Sequence, residues 1–319
     1  MKAALSTIFT GVVLACACQG ACAQDFTGNV TVTQQGNGNT SYAEQAGGPS
    51  FPVTAAITIA QAGNDNHVGG PGAASGGVLQ RDNGGLISAL IQQTGTGNDA
   101  GIAQTGNGGA LPNSARITQL GTDNSAQLRQ YSSSDSSVAI DQSGTGNVAD
   151  VAYNGGTASL RTSQNGAGNR LTIDYNNGPF GGPNVTQDGE GNTATVLGYG
   201  VTIGGGPRIK QAGSFNSVVT VQNLLSESSH RIRQQGTGNL ADATQTGDFQ
   251  RLSIDQEGNG NLASVSQTGM GPGGVNDGNA VLLSQLGNGN TAIVRQAGVG
   301  YRAEVRQLGA SNDTTIYQH

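Results

Sequence analysis

Histidines and closely spaced glycines are the residues here whose types suit metal, acid–base or phosphate chemistry. The three histidines, His67, His230 and His319, share no motif spacing, so we expect each to be a solvated or loop residue. Gly-x-Gly pairs such as Gly36 and Gly38 lack the third glycine, the Lys-Ser/Thr and the following helix of a phosphate-binding loop. We therefore predict turns at these glycines, no catalytic or metal-binding residue, no cofactor, and a protein that is not an enzyme.

Charged side chains are also spread out. Aspartates such as Asp65 and Asp123 do not follow the nonapeptide spacing of a calcium-binding roll. Three arginines, Arg295, Arg302 and Arg306, lie close together in sequence near the C-terminus. We expect them to form a solvated face; the alternative is contact with a surface or a partner subunit.

Composition excludes several classes of protein. The chain has 319 residues, of which 54 are Gly, 4% are aromatic and none is Trp, so it lacks the side chains for a large enzyme-like core. Fourteen Lys and Arg face 20 Asp and Glu, with no basic run, which argues against a nucleic-acid partner. Order in this polar chain must come from something other than a thick apolar interior.

Residues 1–23 have the features of an export signal. An apolar stretch, residues 3–15, is too short to span a bilayer as a helix, and an Ala-x-Ala motif ends at Ala23. Cleavage there would start the mature chain at Gln24, with all three cysteines removed. The alternative is a lipoprotein signal processed at Cys16.

One motif, Gln-x-Gly-x-x-Asn, recurs along the whole chain, most often at spacings of 22 or 23 residues. Its glutamines are Gln34, Gln61, Gln93, Gln119, Gln142, Gln164, Gln187, Gln211, Gln234, Gln256, Gln285 and Gln307. Its glycines are Gly36, Gly63, Gly95, Gly121, Gly144, Gly166, Gly189, Gly213, Gly236, Gly258, Gly287 and Gly309. Its asparagines are Asn39, Asn66, Asn98, Asn124, Asn147, Asn169, Asn192, Asn216, Asn239, Asn261, Asn290 and Asn312.

Each repeat alternates with period two around this motif. The residue two before the first Gln is Ile, Val or Leu in eleven of the twelve copies. A second Gln follows eleven residues after the first in eight copies: Gln45, Gln104, Gln130, Gln222, Gln245, Gln267, Gln296 and Gln318. The other four copies have Gly72, Tyr153, Tyr175 and Gly198 at this position. Insertions such as 69–85 and 270–278 are expected to be loops after the second half of a repeat, and Pro183 and Pro207 to replace inward residues near strand starts.

This alternation predicts two strands per repeat, joined by a tight arc at Gly-x-x-Asn. Two strands cannot bury an inner face alone, so we predict an all-β, cross-β solenoid of about twelve strand-arc-strand rungs. Stacked in register, the inward amides of each rung would hydrogen-bond to those of the next, giving three ladders. The alternative, that these amides sit in solvated turns, does not explain twelve copies in phase with an apolar face.

The unit aliphatic-x-Gln-x-Gly-x-x-Asn-x-Ala-x-x-x-Gln resembles the curlin repeat of bacterial curli. Residues 117–130 (ITQLGTDNSAQLRQ), 232–245 and 283–296 match it closely, and the resemblance covers nearly all of 30–319. It implies that 24–319 is a curlin-like repeat domain of a secreted subunit of extracellular amyloid fibres, the pilus-like curli of adhesion and biofilm matrix. Two features depart from the family pattern: the copy number is higher, and the segment before the first repeat is shorter than the N-terminal segment by which the secretion channel recognises typical curlins.

Open strand edges at both ends of the repeat array predict head-to-tail self-assembly, which gives filaments. The expected partner is therefore the chain itself; the resemblance adds a companion curlin subunit and an outer-membrane curli secretion system. We expect no nucleic acid and no small-molecule substrate. Nucleating and major-subunit roles both stay open, and the alternative function is a monomeric β-solenoid adhesin or surface binding module.

Overall fold

A computed structural model describes residues 14–16, 26–47, 53–69, 76–82, 85–106, 112–132, 135–155, 158–177, 181–201, 206–223, 227–269 and 278–319. These residues form parallel strands and no helix, which confirms the predicted all-β solenoid. No membrane-spanning helix is found among them. Contacts divide the chain into two compact units, residues 1–156 and 157–319.

The first unit contains the rungs centred on Gln34, Gln61, Gln93, Gln119 and Gln142. Their first strands are β2 (Phe26–Gln35), β5 (Val53–Asn64), β8 (Gly85–Thr96), β10 (Asn113–Thr122) and β12 (Ser136–Thr145). Their second strands are β3 (Thr40–Ser41) with β4 (Ala43–Gly47), β6 (His67–Val68) with β7 (Val78–Asp82), β9 (Asp99–Gly106), β11 (Ser125–Ser132) and β13 (Val148–Gly155). Within this unit, first strands pair with first strands and second strands with second strands.

The second unit repeats this plan in seven rungs. Its first strands are β14 (Ala158–Ala167), β16 (Asn184–Glu190), β18 (Arg208–Ser214), β20 (Ser229–Thr237), β22 (Arg251–Asn259), β24 (Ala280–Asn288) and β26 (Arg302–Ala310). Its second strands are β15 (Arg170–Asn177), β17 (Thr193–Val201), β19 (Ser217–Asn223), β21 (Leu240–Thr246), β23 (Leu262–Thr268), β25 (Thr291–Ala297) and β27 (Asp313–Gln318).

The core of each unit is a thin layer between its two sheets. Alternate residues point inward, so β10 places Ala115, Ile117 and Gln119 in the interior at 2% exposure or less. The parallel register sets like over like: Ile117 pairs with Ile140, and Gln119 with Gln142. Each rung therefore buries a few small aliphatic side chains beside an amide, which explains how so few large apolar residues suffice.

Residues 1–23, the predicted export signal, are described only at β1 (Leu14–Cys16), which pairs in parallel with β4. The remainder of that segment, with the predicted cleavage motif, lies outside the described residues. In the chain as it stands, β1 therefore occupies one neighbour position along β4.

Candidate functional site

The first-strand glutamines form one ladder in each unit. In the first unit Nε2 of Gln61 donates to Oε1 of Gln93 at 2.8 Å, and Gln93 donates likewise to Gln119 at 2.9 Å. In the second unit the chain of donors runs from Gln164 to Gln307 at 2.8–3.0 Å. Nε2 also donates to backbone carbonyls, as that of Gln93 does to Asn98 at 2.9 Å. Burial of these amides is thus matched by hydrogen bonds, as an interior polar group requires.

The arc asparagines form a second ladder that runs in the opposite sense. Nδ2 of Asn98 donates to Oδ1 of Asn66 in the preceding rung at 2.9 Å and to the carbonyl of Gly121 in the following rung at 2.9 Å. The backbone N–H of Asn98 donates to the same Asn66 oxygen at 3.2 Å. An asparagine inside the ladder therefore links three rungs, and the pattern recurs in the second unit, for example at Asn239.

The second-strand glutamines form a third ladder, and here one prediction was wrong. We expected Gly72 at this position of the second repeat and an insertion after the strand. Instead the second half of that repeat is divided into β6 and β7, and Gln80 on β7 occupies the ladder position; Gly72 itself lies outside the described residues. Gln45 donates to Gln80 at 3.0 Å, and Gln80 to Gln104 at 2.9 Å. A fixed spacing of eleven residues cannot find Gln80, although the Val78-x-Gln80 pattern repeats the local alternation.

In the second unit, Tyr175 and Gly198 occupy the position of the second-strand glutamine in two consecutive rungs. Tyr175 is fully buried and pairs with Gly198 in the next rung, where an added Cβ would fall on its ring. The ring passes over the glycine, and its hydroxyl donates to Oε1 of Gln222 at 3.1 Å. Gly198 thus provides the space that the tyrosine needs, and the two departures from Gln compensate each other.

His230 is buried, contrary to our prediction of a solvated or loop histidine. It is 3% exposed and points inward at the start of β20, beside its paired neighbour Leu252 on β22 of the same sheet. Its Nδ1 donates to Oε1 of Gln245 at 2.9 Å, and its Nε2 accepts from the Thr220 hydroxyl at 3.1 Å. Burial lowers the pKa of His230 to about 4, and the hydrogen bond with Gln245 only partly opposes this. The alternation along β20 explains why His230 is buried, since it is the first inward-facing residue of that strand.

The arc glycines all have φ between +98° and +125°, a region that other residues avoid. A Cβ on one of them would also fall on the carbonyl oxygen of the glycine in the next rung, as between Gly236 and Gly258. Two residues later a second position has positive φ, and Asp65 and Asp123 occupy it in two rungs. The glycine is therefore required both by conformation and by the close approach of rungs.

The three arginines expected to cluster near the C-terminus are divided between strands of different sheets. Arg302 and Arg306 lie on β26, whereas Arg295 lies on β25, with its guanidinium 5.7 Å from the ring centroid of Tyr317 on β27. Pro183 and Pro207 occupy buried positions immediately before β16 and β18, as predicted.

Polar residues also occupy some of the turns opposite the Gly-x-x-Asn arcs, a feature that the repeat motif did not reveal. Asn279 Nδ2 donates to the Gly298 carbonyl at 2.9 Å, and Gln250 Nε2 to the Gly269 carbonyl at 2.8 Å. Insertions vary the spacing on this side, so no periodic signal marks these residues.

Fold and interior together define this chain as a β-solenoid repeat protein with stacked amide ladders. No protein-family model matches its sequence. No curated protein matches it either.

Proposed function

We propose that this chain is a secreted structural subunit that self-assembles head to tail into extracellular, curli-like amyloid fibres for adhesion and biofilm matrix. The observation that carries the proposal is the in-register stacking of like residues between parallel rungs, for example Gln285 on Gln307. A rung built this way offers its neighbour the same groups that it receives. A second copy can therefore continue the stack by the contacts used within one chain.

The first and last described rungs carry complementary groups. Every earlier glutamine of the first ladder in the second unit donates to the next, but Nε2 of Gln307 donates instead to the hydroxyl of Thr314 at 3.1 Å. Oε1 of Gln34 receives no hydrogen bond from the described residues, and Nε2 of Gln34 donates onward to Gln61. A Gln34 amide from another copy fits above Gln307 with the polarity of the ladder preserved.

The inner face of the last described rung is also incompletely covered. Ile316 and Gln318 on β27 are half-buried, whereas Val294 and Gln296, their partners on β25, are 0% and 2% exposed. Stacking of another rung would cover them and remove apolar surface from water. Head-to-tail addition is favoured because every strand in either sheet pairs in parallel with the next, so an added copy keeps this pairing when it has the same orientation.

Export and partners follow from the resemblance to curlins. Cleavage after Ala23 would remove β1 and free the edge of β4 for pairing. We propose that the chain leaves the cell through an outer-membrane curli secretion system and meets a companion curlin subunit at the surface.

Blocking one strand edge tests the proposal. Thr291 N–H donates to the Asn312 carbonyl and Ala280 N–H to that of Tyr301, so the N–H groups of Thr315 and Glu304 point away from β25 and β24. Proline at both positions (E304P/T315P) removes these outward donors and keeps the pairing within the chain. We expect the chain from Gln24 onward to form thioflavin-positive fibres visible by electron microscopy within days at micromolar concentration.

The E304S/T315S control should polymerise like the original chain, whereas E304P/T315P should stay folded by circular dichroism but extend poorly. If the original chain stays monomeric without a thioflavin response, self-assembly is refuted and the monomeric adhesin is favoured. If the proline variant polymerises equally well, the edges of β26 and β27 are not the growing end.

A further inference from the structure

Four basic side chains form a block on the outer face of the second unit. Arg208 and Lys210 alternate with an inward isoleucine on β18, and Arg231 and Arg233 do the same on β20. The register places Arg208 beside Arg231 and Lys210 beside Arg233. These four residues are called the basic patch; exposed Arg251 on β22 extends it.

The basic patch differs in its neighbours from Arg116 and Arg129, two surface arginines of the first unit. Arg116 pairs with Asp141 at 2.8 Å and Arg129 with Asp150 at 2.7 Å, each across to the next rung. Within the patch only Arg233 forms an ion pair among the described residues, with Asp255 at 3.2 Å. Like charges that face each other across strands destabilise a sheet. An anion bound over the patch would relieve that repulsion.

The spacing of the charges is regular. Neighbouring strands lie about 4.8 Å apart, and alternate residues along a strand about 6.6 Å apart, so the patch is a regular grid of cations. Hydroxyl groups flank it, because Thr186 pairs with Lys210 and Ser253 with Arg231. Cations beside hydroxyls suit a polymer that carries both carboxylates and hydroxyls.

We propose that the basic patch binds an acidic polysaccharide, a linear chain of sugars that bear carboxylate groups. Ion pairs with Arg208, Lys210 and Arg231 would hold the carboxylates, and Thr186 and Ser253 would contact sugar hydroxyls. This inference does not depend on fibre formation, since all of these residues lie within one unit.

Other anionic partners fit this surface less well. Single-stranded nucleic acid is bound by aromatic side chains that stack on bases, and the outward residues of β18 and β20 include none. A sheet of many strands also does not enter the major groove of duplex DNA as a helix or a two-stranded ribbon does. A membrane surface would need apolar anchors among the cations, and the outward neighbours here are Ala212, Ser229 and Gln235.

Binding of polygalacturonate to the purified full-length chain tests this proposal, with the chain immobilised sparsely so that copies do not meet. The patch variant R208Q/K210Q/R231Q/R233Q is compared with the control R81Q/R116Q/R129Q/R295Q. Each loses four positive charges, which takes the net charge from −6 to −10, so total charge cannot explain a difference. Circular dichroism is used to check that both variants fold.

We expect salt-sensitive binding of polygalacturonate, no binding of neutral dextran, at least a tenfold loss of affinity in the patch variant and less than a twofold loss in the control. Absence of binding, or equal loss in both variants, overturns the proposal. Tighter binding of duplex DNA or of anionic phosphatidylserine vesicles at the same salt concentration also overturns it, because the partner class would then be wrong.

Discussion

At the scale of single residues, the interior depends on hydrogen-bonded amides such as that of Gln234. Gln234 is 0% exposed; its Nε2 donates to the carbonyls of Ser217 and Asn239 and to Oε1 of Gln256, while its Oε1 accepts from Gln211. An apolar replacement of similar size leaves the neighbouring amides with unmatched groups in a dry interior. The cost of such groups, rather than the lost attraction, should dominate.

We therefore predict that Gln234→Leu lowers the free energy of unfolding by about 2–4 kcal/mol. The matched control is Gln235→Leu, on the outer face of the same strand, which should change it by less than about 0.5 kcal/mol. Urea unfolding of freshly purified chain, followed by circular dichroism, measures both. Equal effects would mean that the ladder contributes nothing beyond its side-chain volume.

His230 gives the fold an acid-sensitive point. Its pKa in the folded chain is about 4, below the ordinary value of 6.5, so between these values the unfolded chain binds more protons. The free energy of unfolding is therefore not reduced by His230 above about pH 6.5, and it falls as the pH drops towards 4. The loss amounts to about 3 kcal/mol.

We predict that His230→Leu removes this component of the pH dependence, because leucine already fills the same column at Leu252. Unfolding midpoints at pH 7 and pH 4 should differ less in the variant than in the original chain. His67→Leu, at a half-buried position, serves as the control and should keep the original pH dependence. An unchanged slope in His230→Leu would contradict the assignment.

At the scale of the element, the arc between β20 and β21 contains two glycines with positive φ, of which only one also lacks room for a Cβ. Gly236 has φ +118° and no room for a Cβ, whereas Gly238 has φ +65° and nothing within 4 Å of an added Cβ. We predict that Gly236→Ala costs about 3 kcal/mol or more. Gly238→Asn should cost less than about 1 kcal/mol, since asparagine tolerates this left-handed region. Urea midpoints of the two variants test this, and equal losses would refute it.

The rung itself was predictable from sequence because its period and register are local. Alternating residues around Gln-x-Gly-x-x-Asn identified the strands, the arcs and the inward amides. The failures arose where contacts between rungs decide the outcome. Gln80, rather than Gly72, occupies the ladder position of the second repeat. His230 points inward, where it hydrogen-bonds to Thr220 and Gln245 of the facing sheet.

The basic patch was missed for a related reason. Arg-Ile-Lys at 208–210 and Arg-Ile-Arg at 231–233 are each unremarkable, and they are 23 residues apart in sequence. Register brings them side by side. A search for basic runs cannot find a cluster that is created across rungs, although a search at the repeat period could.

At the scale of the whole molecule, we propose that one copy adds to the next as one rung adds to another. Continued register would place Thr33 of one copy beside Arg306 of its neighbour, because Gln34 would then stack on Gln307. Both Thr33 and Arg306 are exposed on outward positions of the end strands. Cysteines at directly paired positions, about 4.8 Å apart, lie within the range that a disulfide spans.

Oxidative cross-linking of the chain from Gln24 onward tests this most directly, since all three native cysteines lie before that residue. The variant T33C/R306C should give fibres that cross-link into a ladder of multimers on a non-reducing gel. The variant T31C/R306C, displaced by two residues, should form fibres with little cross-linking. Fibres that cross-link equally in both variants, or in neither, would contradict head-to-tail stacking in register.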